Sequence, residues 1–304
     1  MFDLIILGGG PAALTAAVYA ARKKLDILLI TPELGGQPNR TTGVENYMGF
    51  QYIEGPELMD KFAAQIKQFP LQQKIGEAAT RVSLNKKGKF EVATDQGGDY
   101  LGKSVIVATG KRPRTLNVPG EDKYTGKGVT YCAICDGPVF EGQKVAVIGG
   151  GNSALEAAND MIKIAEHVYL VSRTSLSADP VLVERAKKAK NFTVYTDHQV
   201  EDIEGDVFVK AVNIKNSKST EKLKLEVGGV FVEIGLNPNS DCVKGLARLN
   251  KTGEIEIDCS CHTSIPGLFA AGDVTNTPEK QIVVAAGEGC KAALAAQNYL
   301  QRLA

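Results

Sequence analysis

Residues 2–13 read Phe2-Asp3-Leu4-Ile5-Ile6-Leu7-Gly8-Gly9-Gly10-Pro11-Ala12-Ala13, and residues 144–154 read Lys144-Val145-Ala146-Val147-Ile148-Gly149-Gly150-Gly151-Asn152-Ser153-Ala154. In both, an apolar run of strand character enters a glycine turn and continues into a helix-compatible segment. The first segment is alanine-rich through Ala21, and the second extends to about Ile164. Each copy ends in another apolar run, Asp26 to Ile30 and Val168 to Val171. Strand, glycine turn, helix and strand make the βαβ unit of a doubly wound parallel sheet. The expected fold class is α/β, with two Rossmann-like dinucleotide-binding domains.

The first turn has the form GxGxxA, with Gly8, Gly10 and Ala13. The first glycine permits the tight turn, the second lets backbone approach a pyrophosphate, and the third position must be small for helix to close on strand. The helix N-terminus then offers N–H groups and partial positive charge to phosphates. Gly149, Gly151 and Ala154 repeat the pattern. A purely structural first turn and a degenerate second copy are the plainer alternatives. Two working sites imply two dinucleotides, and flavin plus nicotinamide is the common redox pairing. A ribose-binding acid is expected at the end of the second strand, but the chain reads Ile30-Thr31-Pro32 there, with Glu33 slightly late as a substitute.

Further strand-like stretches are Phe90–Ala93, Ser104–Ala108, Phe192–Tyr195 and Gly229–Val232. Ile265 to Asp273 reads as a turn and a buried strand, and Gly287 to Leu303 as a helix. Proline-containing stretches at Arg112 to Gly120 and at Asn237-Pro238 are linker candidates. They divide the chain into residues 1–111 with 240–304, the first domain, and an insertion of residues 112–239, the second.

Four of the six cysteines are scattered, at Cys242, Cys259, Cys261 and Cys290, whereas Cys132-Ala133-Ile134-Cys135 is a close pair. Such a pair can close a redox-active disulfide and lower a thiol pKa. The alternatives are incidental cysteines or zinc, which needs four N or S ligands. The only other cluster, Cys259, Cys261 and His262, is poorly spaced for that, and no metal site is expected. Asp136 follows the pair and could exchange protons with a thiol or flavin; it could equally be a turn aspartate before Gly137-Pro138. Gly272-Asp273 ends a buried strand, where an acid can accept from ribityl hydroxyls or simply make a turn.

The 304 residues carry 35 basic and 35 acidic side chains, so no electrostatic footprint points to nucleic acid or anionic membrane. The cluster Arg185, Lys187, Lys188 and Lys190 reads as a solvated helix face. No run reaches the ~18 apolar residues of a membrane span. The N-terminus enters Leu4–Leu7 without a basic start or a cleavage site, and the expected location is cytoplasmic.

The order GGGPAA, Gly35-Gly36-Gln37, Glu45-Asn46-Tyr47, Ala108-Thr109-Gly110, CAICDGP, GGGNSALEAA, FAAGDVT, Lys280-Gln281-Ile282 and Gly287-Glu288-Gly289 resembles the low-molecular-weight thioredoxin reductases along essentially the whole chain. The second half is also similar to the flavoprotein component of alkyl hydroperoxide reductase, without its extra N-terminal thioredoxin-like domains. The resemblance implies a homodimer with one FAD per chain. It implies that Cys132 and Cys135 pass electrons from flavin to a thioredoxin-like protein, with Asp136 handling the proton. Carried over by position, the FAD candidates are Gly8, Gly10, Pro11, Ala12, Ala13, Glu33, Gly36, Gln37, Asn46, Val82, Thr109, Gly110, Gly272, Asp273, Lys280, Gln281 and Ile282. Gly149, Gly151, Asn152, Ser153 and Arg173 are the candidates for NAD(P)H.

One departure concerns the nicotinamide. NADPH-using relatives carry a His-Arg-Arg stretch and a further arginine after the second βαβ unit. This chain reads Ser172-Arg173-Thr174-Ser175-Leu176-Ser177-Ala178, keeping only Arg173 and placing no acid there. The reading leans to NADPH over NADH. Competing readings are a peroxidase-linked carrier as acceptor, a ferredoxin as donor, and a non-catalytic flavin redox sensor.

Overall fold

The computed structural model describes residues 1–41 and 43–303. The N-terminal elements are β1 (Phe2–Leu7), α1 (Pro11–Arg22), β2 (Ile27–Thr31), α2 (Gly55–Ile66), β3 (Gln72–Ile75), β4 (Ala79–Leu84), β5 (Phe90–Thr94) and β6 (Asp99–Val107). β1 is buried along its Leu4–Leu7 stretch, and β2 along its whole length, which suits Ile- and Leu-rich strands covered on both faces. Strand order is β3-β2-β1-β6-β5-β4, with β1, β2, β3 and β6 pairing in parallel and the β4–β5–β6 meander antiparallel.

The chain then passes through β7 (Lys111–Pro113) into α3 (Glu121–Tyr124), β8 (Val129–Thr130), α4 (Ala133–Asp136), β9 (Lys144–Ile148), α5 (Asn152–Met161), β10 (His167–Val171), α6 (Pro180–Lys187) and β11 (Phe192–Tyr195). An antiparallel hairpin sheet follows, β12 (His198–Gly205), β13 (Val209–Asn216) and β14 (Lys222–Glu226), before β15 (Gly229–Val232). The second parallel sheet has the order β11-β10-β9-β15-β8.

Return is by β16 (Leu236–Pro238), which pairs antiparallel with β7. β17 (Leu268–Ala270) then adds in parallel to β6 of the first sheet, and α7 (Ile282–Leu303) packs against α1. The second parallel sheet is thus inserted between β6 and β17 of the first. This is the two-unit α/β fold expected from the paired glycine turns.

Several sequence expectations shift at the edges. α7 begins at Ile282 rather than Gly287, because Gly287 and Gly289 are accommodated within the helix. α5 stops at Met161, short of Ile164. Arg185 and Lys187 lie on α6, while Lys188 caps it and Lys190 lies beyond; all four are exposed. Among the described residues, no helix is long and apolar enough to cross a membrane.

Candidate functional site

The two glycine turns are built alike. Gly8 has φ +123°, and a Cβ there would meet the Ala108 carbonyl oxygen at 2.2 Å. Gly149 has φ +147°, and its Cβ would meet the Glu233 carbonyl oxygen at 2.3 Å. In both, a neighbouring strand's backbone leaves no room for a side chain, and the left-handed φ favours glycine. Gly10 and Gly151 are the N-caps of α1 and α5, and neither helix start carries a side-chain cap or an acid in its first turn. Two open helix N-termini at Gly-rich turns suit pyrophosphates, so these residues fit the flavin and nicotinamide dinucleotides that the sequence implies.

Around the first turn the structure gathers many of the separated candidates. Pro11, Ala12 and Ala13 form the buried first turn of α1. The Gly35 N–H donates to the Gly9 carbonyl at 2.8 Å, and the 3-10 helix Gln37–Arg40 follows Gly36. Gln37 Nε2 donates to Asp273 Oδ2 at 3.1 Å, and Asn46 Nδ2 to Gln281 Oε1 at 3.2 Å. Ala12 Cβ lies 3.0 Å from where a Gly272 Cβ would stand. Residues 8–13, 35–37, 46, 272–273 and 281–282 thus surround one region.

Other candidates serve the frame. Glu33 is exposed, and its backbone carbonyl, held by the Thr31 hydroxyl at 2.6 Å, faces the turn. Val82 is buried in the sheet core with Phe90 and Val92. Thr109 donates its hydroxyl to the Asn239 carbonyl at 2.6 Å, Asn239 Nδ2 returns a bond to the Thr109 carbonyl at 2.8 Å, and the Asn239 N–H donates to Gly110 at 2.9 Å. Asn239 therefore clamps the linker. Sequence reading found Asn237-Pro238 but passed over this neighbour.

Burial pushes the Asp273 carboxyl above its ordinary range, opposed by Lys280, Lys111 and the Gln37 bond. Lys280 Nζ donates to the Thr275 carbonyl at 2.7 Å and lies 3.4 Å from Glu254 Oε1. Glu254 also pairs with Lys111 of β7. Burial alone would raise the Glu254 pKa, but bonds from Lys111 and Asn250, the Lys280 charge and a bond from Thr252 outweigh it and hold it at about 2. Glu288, buried on α7, accepts the Gly272 N–H at 2.7 Å and the Thr277 hydroxyl, fixing the turn beside Asp273.

In the inserted unit, Cys132 and Cys135 form a disulfide with Cα atoms 5.3 Å apart. Cys132 caps α4, and the Cys135 N–H donates to its Sγ at 3.2 Å. Both cysteines are half-buried, whereas Asp136 is buried. Asp136 Oδ2 accepts from the Thr130 hydroxyl, a residue absent from the sequence candidates. Glu233, just after β15, accepts the Ala133 N–H; burial, reinforced by Glu156, raises it to about 7. Of the remaining cysteines, Cys242 and Cys261 are buried, and burial raises both thiols to about 12.

At the second turn, the loop after β10 folds back over the glycines. The Ser177 and Ala178 N–H groups donate to the Gly150 carbonyl at 2.8 and 3.2 Å. Asn152 Nδ2 donates to Asp179 Oδ2 at 3.0 Å and its Oδ1 accepts the Asp179 N–H at 2.8 Å. Ser153 is exposed at the start of α5, and Arg173 is exposed on the loop.

Two dinucleotide turns and a disulfide on the second of their lobes define a dinucleotide-dependent disulfide oxidoreductase architecture. The profile of the pyridine nucleotide-disulphide oxidoreductases matches residues 2–289, and the chain belongs to that family. It is 42% identical over 302 residues to a Ferdinandcohnia aciditolerans protein named NADH dehydrogenase, and 41% identical over 302 residues to an alkyl hydroperoxide reductase component of Staphylococcus aureus MSSA476. Each alignment covers 99% of this chain but only 58% and 59% of the relatives, so the chain spans under two thirds of their length. The crystal structure of thioredoxin reductase from Streptococcus pyogenes MGAS5005 superposes with a TM-score of 0.93 at 38% identity, covering 99% of both chains. The fold is that of the thioredoxin reductases.

Proposed function

We propose that the chain is a flavoprotein disulfide reductase that takes electrons from NAD(P)H and delivers them, through FAD and the Cys132–Cys135 disulfide, to a thioredoxin-like protein. The observation that carries this reading is the Cys132–Cys135 bond itself, placed just before the second dinucleotide turn and followed by the buried Asp136. The division of labour follows the two sheets: residues 1–111 with 240–304 hold FAD, and residues 112–239 hold NAD(P)H and carry the disulfide.

The chain's residues have separate tasks. The α1 N-terminus at Gly8–Ala13 receives the FAD pyrophosphate, while Gln37, Asn46, Asp273 and Gln281 orient its polar chain. The α5 N-terminus at Gly149–Ser153 receives the nicotinamide dinucleotide, and Arg173 faces the ribose end with a slight preference for NADPH. Bound FAD supplies the exchange between hydride and electron-pair chemistry that no side chain provides. Asp136 gives a proton to one sulfur as the disulfide opens. A reducing cytoplasmic setting suits a dithiol turned over in this way, and a homodimer is the expected assembly.

The relatives named alkyl hydroperoxide reductase favour a second reading that changes only the acceptor, to a carrier serving a peroxidase. Steady-state oxidation of NADPH and NADH with a thioredoxin and with such a carrier tests both. Turnover with thioredoxin supports the first reading. Turnover with the carrier alone supports the second, and flavin reduction without turnover on either removes both.

A further inference from the structure

Thr130 joins the disulfide to the acid beside it. The residue is buried in β8. Its hydroxyl donates to Asp136 Oδ2 and accepts the Cys132 N–H at 3.2 Å. The Asp136 N–H donates to the Cys132 carbonyl at 3.1 Å, which closes a ring of three bonds. A hydroxyl has one proton to give and two lone pairs. Here the proton goes to the carboxyl group, and a lone pair receives the amide of the redox cysteine.

We propose that Thr130 is a positioning residue for the proton step of disulfide reduction, holding the Asp136 carboxyl at the Cys132–Cys135 turn and stabilising the carboxylate formed when its proton leaves. The inference rests on the reading of the chain as a disulfide reductase. Two electrons, drawn from NAD(P)H through FAD, break the S–S bond and leave two sulfur anions. Transfer of one proton from Asp136 gives one thiol, one thiolate and the Asp136 carboxylate. A hydrogen bond to that carboxylate is stronger than one to the neutral acid, so the hydroxyl favours the product side of the transfer.

Charged and polar groups on the adjoining elements make contacts of their own. Glu233 after β15 takes the Ala133 N–H, and Glu156 of α5 interacts with Glu233; both carry the wrong sign. Asp160 at the end of α5 is paired with Lys163 at 2.8 Å, and Tyr131 donates to Glu121 at 2.9 Å.

Thr130→Val keeps the shape and removes the donor, whereas Thr130→Ser keeps the donor. The test titrates the Asp136 carboxyl carbon by NMR in dithiothreitol-reduced protein, with Asp136→Asn assigning the resonance. The expected result is an Asp136 pKa about one unit higher in Thr130→Val than in wild type, one hydrogen bond to a charged group being lost. Thr130→Ser should titrate like wild type. The pH profile of disulfide reduction by NAD(P)H should move by the same amount in Thr130→Val alone. Superposed titrations of wild type and Thr130→Val overturn the proposal, as do equal shifts in both variants, which indicate packing rather than the hydroxyl. A wild-type disulfide that NAD(P)H cannot reduce counts against the disulfide-reductase reading, while the carboxyl titration still judges the Thr130 bond by itself.

Discussion

Gln37 donates to Asp273 at 3.1 Å, across 236 residues of sequence. The bond ties the turn after β2 to the end of β17 and places both beside the α1 N-terminus. Asp273 is half-buried, and the Gln37 bond and nearby Lys280 offset part of the penalty on its charge. Asp273→Ala should weaken FAD retention by about tenfold to a hundredfold, the range for losing a hydrogen bond to a charged group. Flavin fluorescence in the ultrafiltrate of dilute protein measures this. Retention equal to wild type removes Asp273 from the flavin site.

Arg173 follows β10 and lies on the exposed loop that closes over Gly150. A guanidinium there can donate to a 2′-phosphate. Arg173→Ala should raise KM for NADPH by about tenfold, with little change for NADH. Equal effects on the two nucleotides remove Arg173 from phosphate recognition.

The Lys111–Glu254–Lys280 cluster anchors the linker strand β7 to the first unit. Glu254 is held at about 2, below its ordinary 4.5. A depressed carboxylate contributes stability above its unfolded pKa, and that stability is lost as pH falls through the folded value. The loss therefore falls between about pH 4.5 and 2. Glu254→Gln should cost about 1–2 kcal/mol at neutral pH and flatten the acid limb of the stability curve. Urea unfolding from pH 7 to pH 2 checks both. An unchanged slope in the variant excludes the cluster from acid stability.

The proposed division of labour requires the inserted unit to move. The two units are joined through β7 and β16, and among the described residues no helix or strand of one packs extensively against the other apart from this linker. Gly126, on the segment leading to β8, faces the Arg40 carbonyl at the end of the 3-10 helix that carries Gln37, with its Cβ position 3.7 Å away. The segment before β8 thus lies beside the 3-10 helix of the proposed flavin site. A nicotinamide needs that same site, since hydride transfer requires contact within about 3–3.5 Å. A short bismaleimide bridge between Arg40→Cys and Lys127→Cys, in a background with Cys259 and Cys290 replaced by Ser, should block flavin reduction by NAD(P)H. It should leave exchange between chemically reduced flavin and the disulfide intact. Normal turnover by fully bridged protein refutes the motion.

The fold was legible because its signals are local. A strand such as Leu4–Leu7 and a glycine that must accept a neighbouring carbonyl announce themselves within a dozen residues. The ends of elements were less legible: α7 runs through Gly287 because packing on α1 outweighs the helix cost of glycine. The site was legible where a motif carried it, as at Cys132–Asp136, and obscure where tertiary contact created it. Thr130, Glu233 and Asn239 are ordinary residues in sequence, and only the approach of β8, β15 and the linker gives them roles. Val82, carried over by resemblance, has its side chain in the core with Phe90 and Val92.

The central claim is that the flavin and the Cys132–Cys135 disulfide form one electron chain, and counting electrons tests it most directly. Anaerobic titration of the flavin-loaded protein with dithionite should consume roughly two two-electron equivalents per flavin, one for the flavin and one for the disulfide. Cys132→Ser and Cys135→Ser should each consume roughly one, with the flavin still fully reduced and acceptor turnover lost. Replacing Cys242, Cys259, Cys261 or Cys290 should leave the wild-type count. A count of one in wild type, or turnover retained in either active-pair variant, contradicts the account.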